Sequence, residues 1–161
     1  MQKLYRTASL AGAAVITAAA VAGCSAAQAG PKSSIAPTAA YVQQPSATGK
    51  ATVGYLDIRN NGEADRLESV TTSVGGTVAL RGPEHPGATP VVMHTVQSIP
   101  VPSQSMTQLV PNGYHLLITG AGPMRDGKDI TLKLKFAHAG TVTILALVTN
   151  PQNGGASYFL N

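Results

Sequence analysis

The chain predicts an all-β fold, an antiparallel β-sandwich, over its C-terminal two-thirds. Three observations lead there. About eight or nine short runs alternate apolar and polar residues or carry β-branched side chains, and turn signals separate them every eight to twelve residues or so. No helical periodicity of useful length follows the first 24 residues. Mean hydropathy and composition are those of one ordinary domain, with no internal repeat.

The N-terminal segment has to be set aside before any fold reasoning. Lys3 and Arg6 make a basic start, Leu10 to Ala22 is an Ala-rich apolar run, and Val21-Ala22-Gly23-Cys24 reads as a bacterial lipobox. The run is too short and too Ala-rich for a membrane span. Cys24 is the only cysteine, so no internal disulfide is available. The alternative is a plain cleavage site, Ala27-Gln28-Ala29 before Gly30. The expected organisation is a lipoprotein signal peptide over 1–23, a flexible tether over 24–48 from a lipidated Cys24, and a sandwich domain over 49–161. Two or three acyl chains, at about 0.8 kcal/mol per buried CH₂, anchor firmly where one would not. The protein is therefore expected on the outer face of the cell membrane, extracytoplasmic and lipid-anchored.

The tether is read from Ala, Ser, Pro, Gln and Gly with few large apolar side chains. Its end, Ala39 to Val42, is a candidate first strand. Thr52 to Ile58 is strand-like and runs into the turn signal Asn60-Asn61-Gly62. Leu67 to Ser73 and Thr77 to Leu80 follow, separated by Gly75-Gly76. Arg81 to Pro90 reads as a loop, and Val91 to Ser98 returns to strand until Pro100 and Pro102 break it. Met106 to Val110 and Tyr114 to Thr119 flank the Pro111-Asn112-Gly113 turn. Asp129 to Phe136 alternates cleanly, with Ile130, Leu132, Leu134 and Phe136 inward. Thr141 to Thr149 is apolar on both faces, as in a central strand. A last short segment is expected over Ser157 to Leu160.

Composition removes several function classes. Lys3 and Arg6 account for two of the +4 formal charges, leaving +2, scattered, in the mature chain. Lys133 and Lys135 alternate with apolar residues as the solvated face of a strand, so no nucleic-acid footprint is present. Tryptophan is absent, which disfavours stacking platforms for sugars or bases. The chain is expected not to be an enzyme. It has no Gly-x-Ser-x-Gly elbow, no cysteine nucleophile once Cys24 is acylated, and only seven acids, which do not converge. Glu63, Asp65 and Glu68 read as a solvated turn.

The remaining chemistry lies between Met93 and Leu117, which holds two of the four histidines and two of the four methionines. On a strand, residues 115 and 117 point to one face. A thioether with an imidazole suits a soft ion such as Cu(I). Met93 and His115 are the candidate ligands.

The spacing Met93-x21-His115 resembles the PCu(A)C-type copper chaperones, whose pattern is His-x10-Met-x21-His-x-Met. The flanks agree: Tyr55-Leu56-Asp57-Ile58-Arg59-Asn60-Asn61-Gly62, Ile99-Pro100-Val101-Pro102, Gly113-Tyr114-His115, and Leu132 to Phe136 with Gly140 after it. The resemblance covers roughly residues 40 to 149. It implies a cupredoxin-like β-sandwich, with copper as Cu(I) delivered to cytochrome oxidase assembly. It also implies partners that are a copper-accepting oxidase subunit or another copper chaperone. The motif is degenerate here. The last Met falls on Leu117, and the first His falls at Arg81 or Gly82 depending on where one loop residue is placed.

Two residues are candidates to replace the missing ligands, His85 in the loop and Met106 on the passage between Met93 and His115. His94 adjoins Met93 but faces the opposite side of a strand. His138 reads as a surface turn residue and Met124 as structural. Two functions are therefore expected as alternatives, a lipid-anchored copper chaperone-like protein and a metal-independent lipoprotein that keeps the sandwich as a binding or structural module. The lipobox is directly testable. Cys24→Ala should abolish incorporation of a fatty-acid analogue during metabolic labelling, and equal label in wild type and variant would rule the lipobox out.

Overall fold

A computed structural model describes residues 33–87 and 89–153. Ten strands and one 3-10 turn make up the fold, with no α-helix among the described residues. The strands are β1 (Ile35–Gln43), β2 (Thr52–Asn60), β3 (Asp65–Thr72), β4 (Thr77–Pro83), β5 (Met93–Thr95), β6 (Ile99–Val101), β7 (Ser105–Leu109), β8 (His115–Thr119), β9 (Asp129–Phe136) and β10 (Gly140–Thr149). They form one curled sheet in the order β5-β4-β8-β2-β1-β10-β9-β3-β6, with β7 paired to β2. The curl lays β3 against β4 and encloses the core, so the architecture is the expected cupredoxin-like sandwich.

Alternation fixes which side chains point inward. On β9, Ile130, Leu132, Leu134 and Phe136 are buried while Lys133 and Lys135 are exposed. On β8, Leu116 and Ile118 are fully buried. They meet Val42, Leu56 and Ile58 from β1 and β2, Leu67 and Val70 from β3, and Ala146 and Val148 from β10. A fully buried Leu or Ile contributes roughly 1.5–3 kcal/mol of transfer free energy. β10 buries Ala146 and Val148 on one face, while on the other Leu145 stays 61% exposed and burial is confined to Thr149 at the strand end.

Strand β1 corrects the expected tether. Residues 35–43 are a strand that contains the candidate Ala39 to Val42 and extends it back into the stretch read as flexible, pairing antiparallel with β2 and parallel with β10. Its small residues are poor core formers, but two backbone ladders hold it, which composition does not reveal. The β2 register shifts between Thr38 and Tyr41, where Ala39 has a positive φ of 50°. Such a bulge bends a strand, and here it turns the second half of β1 toward β10. The parallel β1–β10 pair is the exception in an otherwise antiparallel sheet. The segment expected over 157–160 lies outside the described residues.

Two more boundaries differ from expectation. Arg81, Gly82 and Pro83 continue β4 rather than opening a loop, and of the stretch 91–98 only Met93 to Thr95 is strand. Ile99 to Val101 is a strand in spite of its prolines. β6 pairs only with β3, so Pro100 sits on an edge, exposed, where its missing N–H costs nothing, while Ile99 and Val101 are fully buried.

Asp65 is not part of a solvated turn. Its carboxylate is buried and accepts hydrogen bonds from Ser33 Oγ (2.7 Å) and from the backbone N–H groups of Arg66 (2.8 Å), His138 (3.0 Å) and Ala139 (2.8 Å). It thereby ties the chain before β1 and the β9–β10 turn to the start of β3. His138 is exposed, as expected, although its Nδ1 lies 3.5 Å from Asp65 Oδ1. Buried Asn60 does similar work at the end of β2. Its amide N–H groups donate to the carbonyls of Glu63 (2.6 Å) and Pro102 (3.1 Å), and its oxygen accepts from Gly62 N–H (2.9 Å).

Burial alone would raise the Asp65 carboxyl, but the hydrogen bonds from Ser33, Arg66, Ala139 and His138 outweigh it and leave its pKa lowered. Its contribution to stability is therefore complete above the ordinary aspartate value of about 3.9 and is lost as pH falls through the lower folded value. Asp65→Asn should cost about 1–3 kcal/mol near neutrality. Thermal denaturation followed against pH should show the gap between wild type and variant closing below pH about 4. A gap that stayed constant to the acid end would show that the carboxylate charge is not what holds this junction.

Candidate metal centre

Strand β4 lies between β5 and β8, and this order assembles the site. Arg81 pairs with His115 on β8 and with Thr95 on β5, Pro83 pairs with Met93, and Ala79 pairs with Leu117. Opposed residues in an antiparallel ladder share a face, and so do residues two apart on a strand. Met93, Thr95, Arg81, His115 and Leu117 therefore project together from the outer face, while Leu80, Leu116 and Ile118 fill the core behind them. Met93, Arg81, His115 and Leu117 are each half-buried.

The uncertainty between Arg81 and Gly82 resolves in favour of Arg81. Gly82 faces inward, and a Cβ there would lie 2.7 Å from the Tyr114 ring and 3.1 Å from Val96. Glycine is required because the aromatic ring packs directly on the backbone. Of the two positions, Arg81 is therefore the one that shares the outer face with Met93 and His115. Its guanidinium donates from Nη1 to Thr95 Oγ1 (2.9 Å) and from Nη2 to the Met93 carbonyl (2.7 Å), so it leans over β5 rather than toward His115. Among the described residues no carboxylate pairs with it.

The imidazole of His115 is oriented from two sides. Nδ1 lies 3.0 Å from the Gly113 carbonyl oxygen. A carbonyl only accepts, so Nδ1 donates to it, and in the neutral ring the lone pair is then on Nε2, where it can serve a metal. The Pro111-Asn112-Gly113 turn supplies that carbonyl. Asn112 has a φ of 61°, and the turn is closed by Gly113 N–H to Val110 (3.0 Å) and Val110 N–H to Tyr114 (2.8 Å). On the other side the Tyr55 ring lies 6.2 Å from the imidazole centroid to centroid, and Tyr41 lies 5.2 Å from Tyr55. These tilted contacts are in the range that favours aromatic pairs. Burial raises the pKa of both phenols, with Asp57 adding to the effect at Tyr41 and Tyr41 adding to it at Tyr55. They stay neutral near pH 7 and supply no phenolate to the site.

The other candidates are not gathered there. His85 is exposed two positions past the end of β4. Met106 on β7 is 43% exposed and pairs with Arg59, four positions along β2 from Tyr55, or roughly 13 Å at strand rise. His94 pairs with Gly82 and so faces away from Met93. Met124 is buried in the core. Among the described residues no group of three or more His, Cys, Asp or Glu side chains could hold a metal ion. What remains is one thioether and one imidazole on a common face, with a cation between their strands and a leucine beside them. The sequence did not expose the part of Tyr41, Tyr55 and Thr95, because those contacts depend on strand order. The period-2 alternation through Tyr55 was the only signal available.

Comparison with known proteins agrees with this architecture. The fold matches the apo PCuAC domain from PmoF1 with a TM-score of 0.63 and 21% identity, covering 73% of this chain and 94% of that one. It matches the copper-bound PCuAC domain from PmoF2 with a TM-score of 0.59 and 23% identity, covering 73% of this chain and 93% of that one. The apo PCuAC domain from PmoF2 aligns with a TM-score of 0.60, again at 23% identity, covering 74% and 95%. No curated protein matches the chain in sequence. A family model described as "Putative lipoprotein LpqE-like" matches residues 35–148, which is β1 through β10 almost entire. The chain therefore belongs to the LpqE-like family of putative lipoproteins and carries the PCuAC fold.

Proposed function

We propose that this protein is a lipid-anchored, extracytoplasmic copper-handling protein of chaperone type, holding Cu(I) weakly at Met93 and His115 for delivery toward cytochrome oxidase assembly. The observation that carries this reading is the commitment of His115 Nδ1 to the Gly113 carbonyl. It leaves Nε2 as a donor on the same face as the Met93 thioether, in a fold whose relatives include a copper-bound domain. Copper here is cargo, and two protein donors with open positions suit transfer better than storage. Completion of the shell falls to a partner, an oxidase subunit or a second copper chaperone, rather than to the distant Met106 or the exposed His85.

Arg81 favours a second reading. A fixed positive charge beside the donors opposes any cation, and Leu117 has no donor atom. On this reading the protein is a metal-independent lipoprotein that keeps the sandwich as a binding module.

Anaerobic Cu(I) titration of residues 25–161 against a competing chelator separates the two. The copper reading expects weak binding that is lost in Met93→Ala and in His115→Ala. It also expects a gain of about tenfold or more in Leu117→Met, since one added ligand need supply only about 1.4 kcal/mol. That swap nearly conserves volume and should cost less than about 1.5 kcal/mol in stability. Binding indifferent to all three substitutions would favour the metal-independent module.

The same face makes a prediction about folding. Arg81→His should fold normally and tighten Cu(I) further. Gly82→His should lower the melting temperature sharply, because its Cβ meets the Tyr114 ring. Equal melting temperatures for the two variants would mean that β4 is not held in the register described.

A further inference from the structure

The Arg81 guanidinium sits at the rim of the Met93–His115 face with two of its N–H groups spent on Thr95 and the Met93 carbonyl, and among the described residues no carboxylate pairs with it. Both protein donors are neutral, the thioether and the Nε2 lone pair. Cu(I) bound to them alone would place a second positive charge next to Arg81. A neutral third ligand would leave that repulsion intact. An anionic third ligand removes it, because the anion bonds to the ion and pairs with the remaining guanidinium N–H groups. Resting on the copper reading above, we propose that Arg81 makes Cu(I) occupancy of this site dependent on an anionic co-ligand. The natural occupant is a soft anionic donor brought by a partner, namely a thiolate. On coordination the partner's thiol gives its proton to solvent and its sulfur lone pair to Cu(I), with no change in oxidation state. Arg81 is then a specificity residue, admitting copper in company with an anion and discouraging it alone.

Three features of the fold support this assignment. The anchoring of Arg81 to β5 keeps its charge at the site rather than free in solvent, where screening would erase it. Tyr41 and Tyr55 reach the imidazole through their rings, with centroids 5.2 Å apart from each other and 6.2 Å from Tyr55 to His115, and bring no carboxylate to it. Asp57 shares the outer face of β2 but is engaged by Gln108 Nε2 (3.3 Å), toward β7 and away from β4. Among the described residues no carboxylate lies within ion-pairing distance of Arg81, and the anion is assigned to a partner.

Chloride serves as the free anionic probe, and a short peptide with a single cysteine as the partner-borne one. Cu(I) affinity of residues 25–161 is measured by chelator competition in chloride and in perchlorate at equal ionic strength. The wild type should bind more tightly in chloride by about tenfold, the size expected from one neutralised charge at this range. Arg81→Gln should bind Cu(I) more tightly in perchlorate and lose the chloride dependence. The cysteine peptide, but not its methionine analogue, should form a ternary complex with the wild type, detected by X-ray absorption as an added sulfur and weakened in Arg81→Gln. Equal anion dependence in wild type and Arg81→Gln overturns the proposal while leaving the copper reading intact. Absence of Cu(I) binding under every condition, in both proteins, overturns the copper reading and this proposal with it. An effect of chloride without one of the cysteine peptide assigns the co-ligand to small anions and overturns the partner thiolate.

Discussion

Everything in this fold depends on β1 having partners on both sides. It is the strand between β2 and β10, and without it the sheet would separate into a β5-β4-β8-β2 half and a β10-β9-β3-β6 half. The bulge at Ala39 lets one short strand serve both, pairing with β2 along its length and turning its last residues to β10. The same strand reaches the functional face. Tyr41 packs on Tyr55, and Tyr55 packs on His115. The joint between the two halves of the sandwich is therefore also the back support of the imidazole.

Across the outer face the backbone has kept the arrangement a metal site needs, while two side chains have changed its chemistry. The turn before β8 still selects the His115 tautomer, and strand order still brings Met93 and His115 to one side. Leu117 removes a donor and leaves volume almost unchanged, a quiet substitution in packing terms. Arg81 is the stronger change. A fixed positive charge beside two neutral donors opposes a cation directly, whatever their number.

Much of this was legible from residue pattern alone. β9 has the expected bounds because clean alternation and a glycine-bounded turn leave no other reading, and the buried pair Leu116 and Ile118 follows from the same period. The relation of Met93 to His115 was implied by the resemblance in their spacing, since the chain between them runs through β6, paired with β3, and β7, paired with β2, and no local pattern shows the return. What was not legible depends on neighbours distant in sequence. Pro100 is tolerated because β6 is an edge, which no local signal states. Asp65 looks like one of three turn acids until the β9–β10 turn, more than 70 positions later, delivers two N–H groups to it. Ala39 to Val42 could be read as a strand, but the extension back to Ile35 lacks apolar bulk and is revealed only by its ladder to β2.

The early start of β1 has a consequence for where the protein can act. With Cys24 acylated as proposed, only some ten residues separate the lipid from Ile35, where the sheet begins. Fully extended at about 3.5 Å per residue, they span at most roughly 40 Å, half of what a tether reaching to residue 48 would allow. A domain of this size is itself about 35 Å across. On the proposed reading, the Met93–His115 face is leashed to a thin shell of space above the bilayer. A recipient would then have to expose its acceptor within roughly two domain diameters of the lipid surface, where the short leash would raise the local concentration at which the two meet.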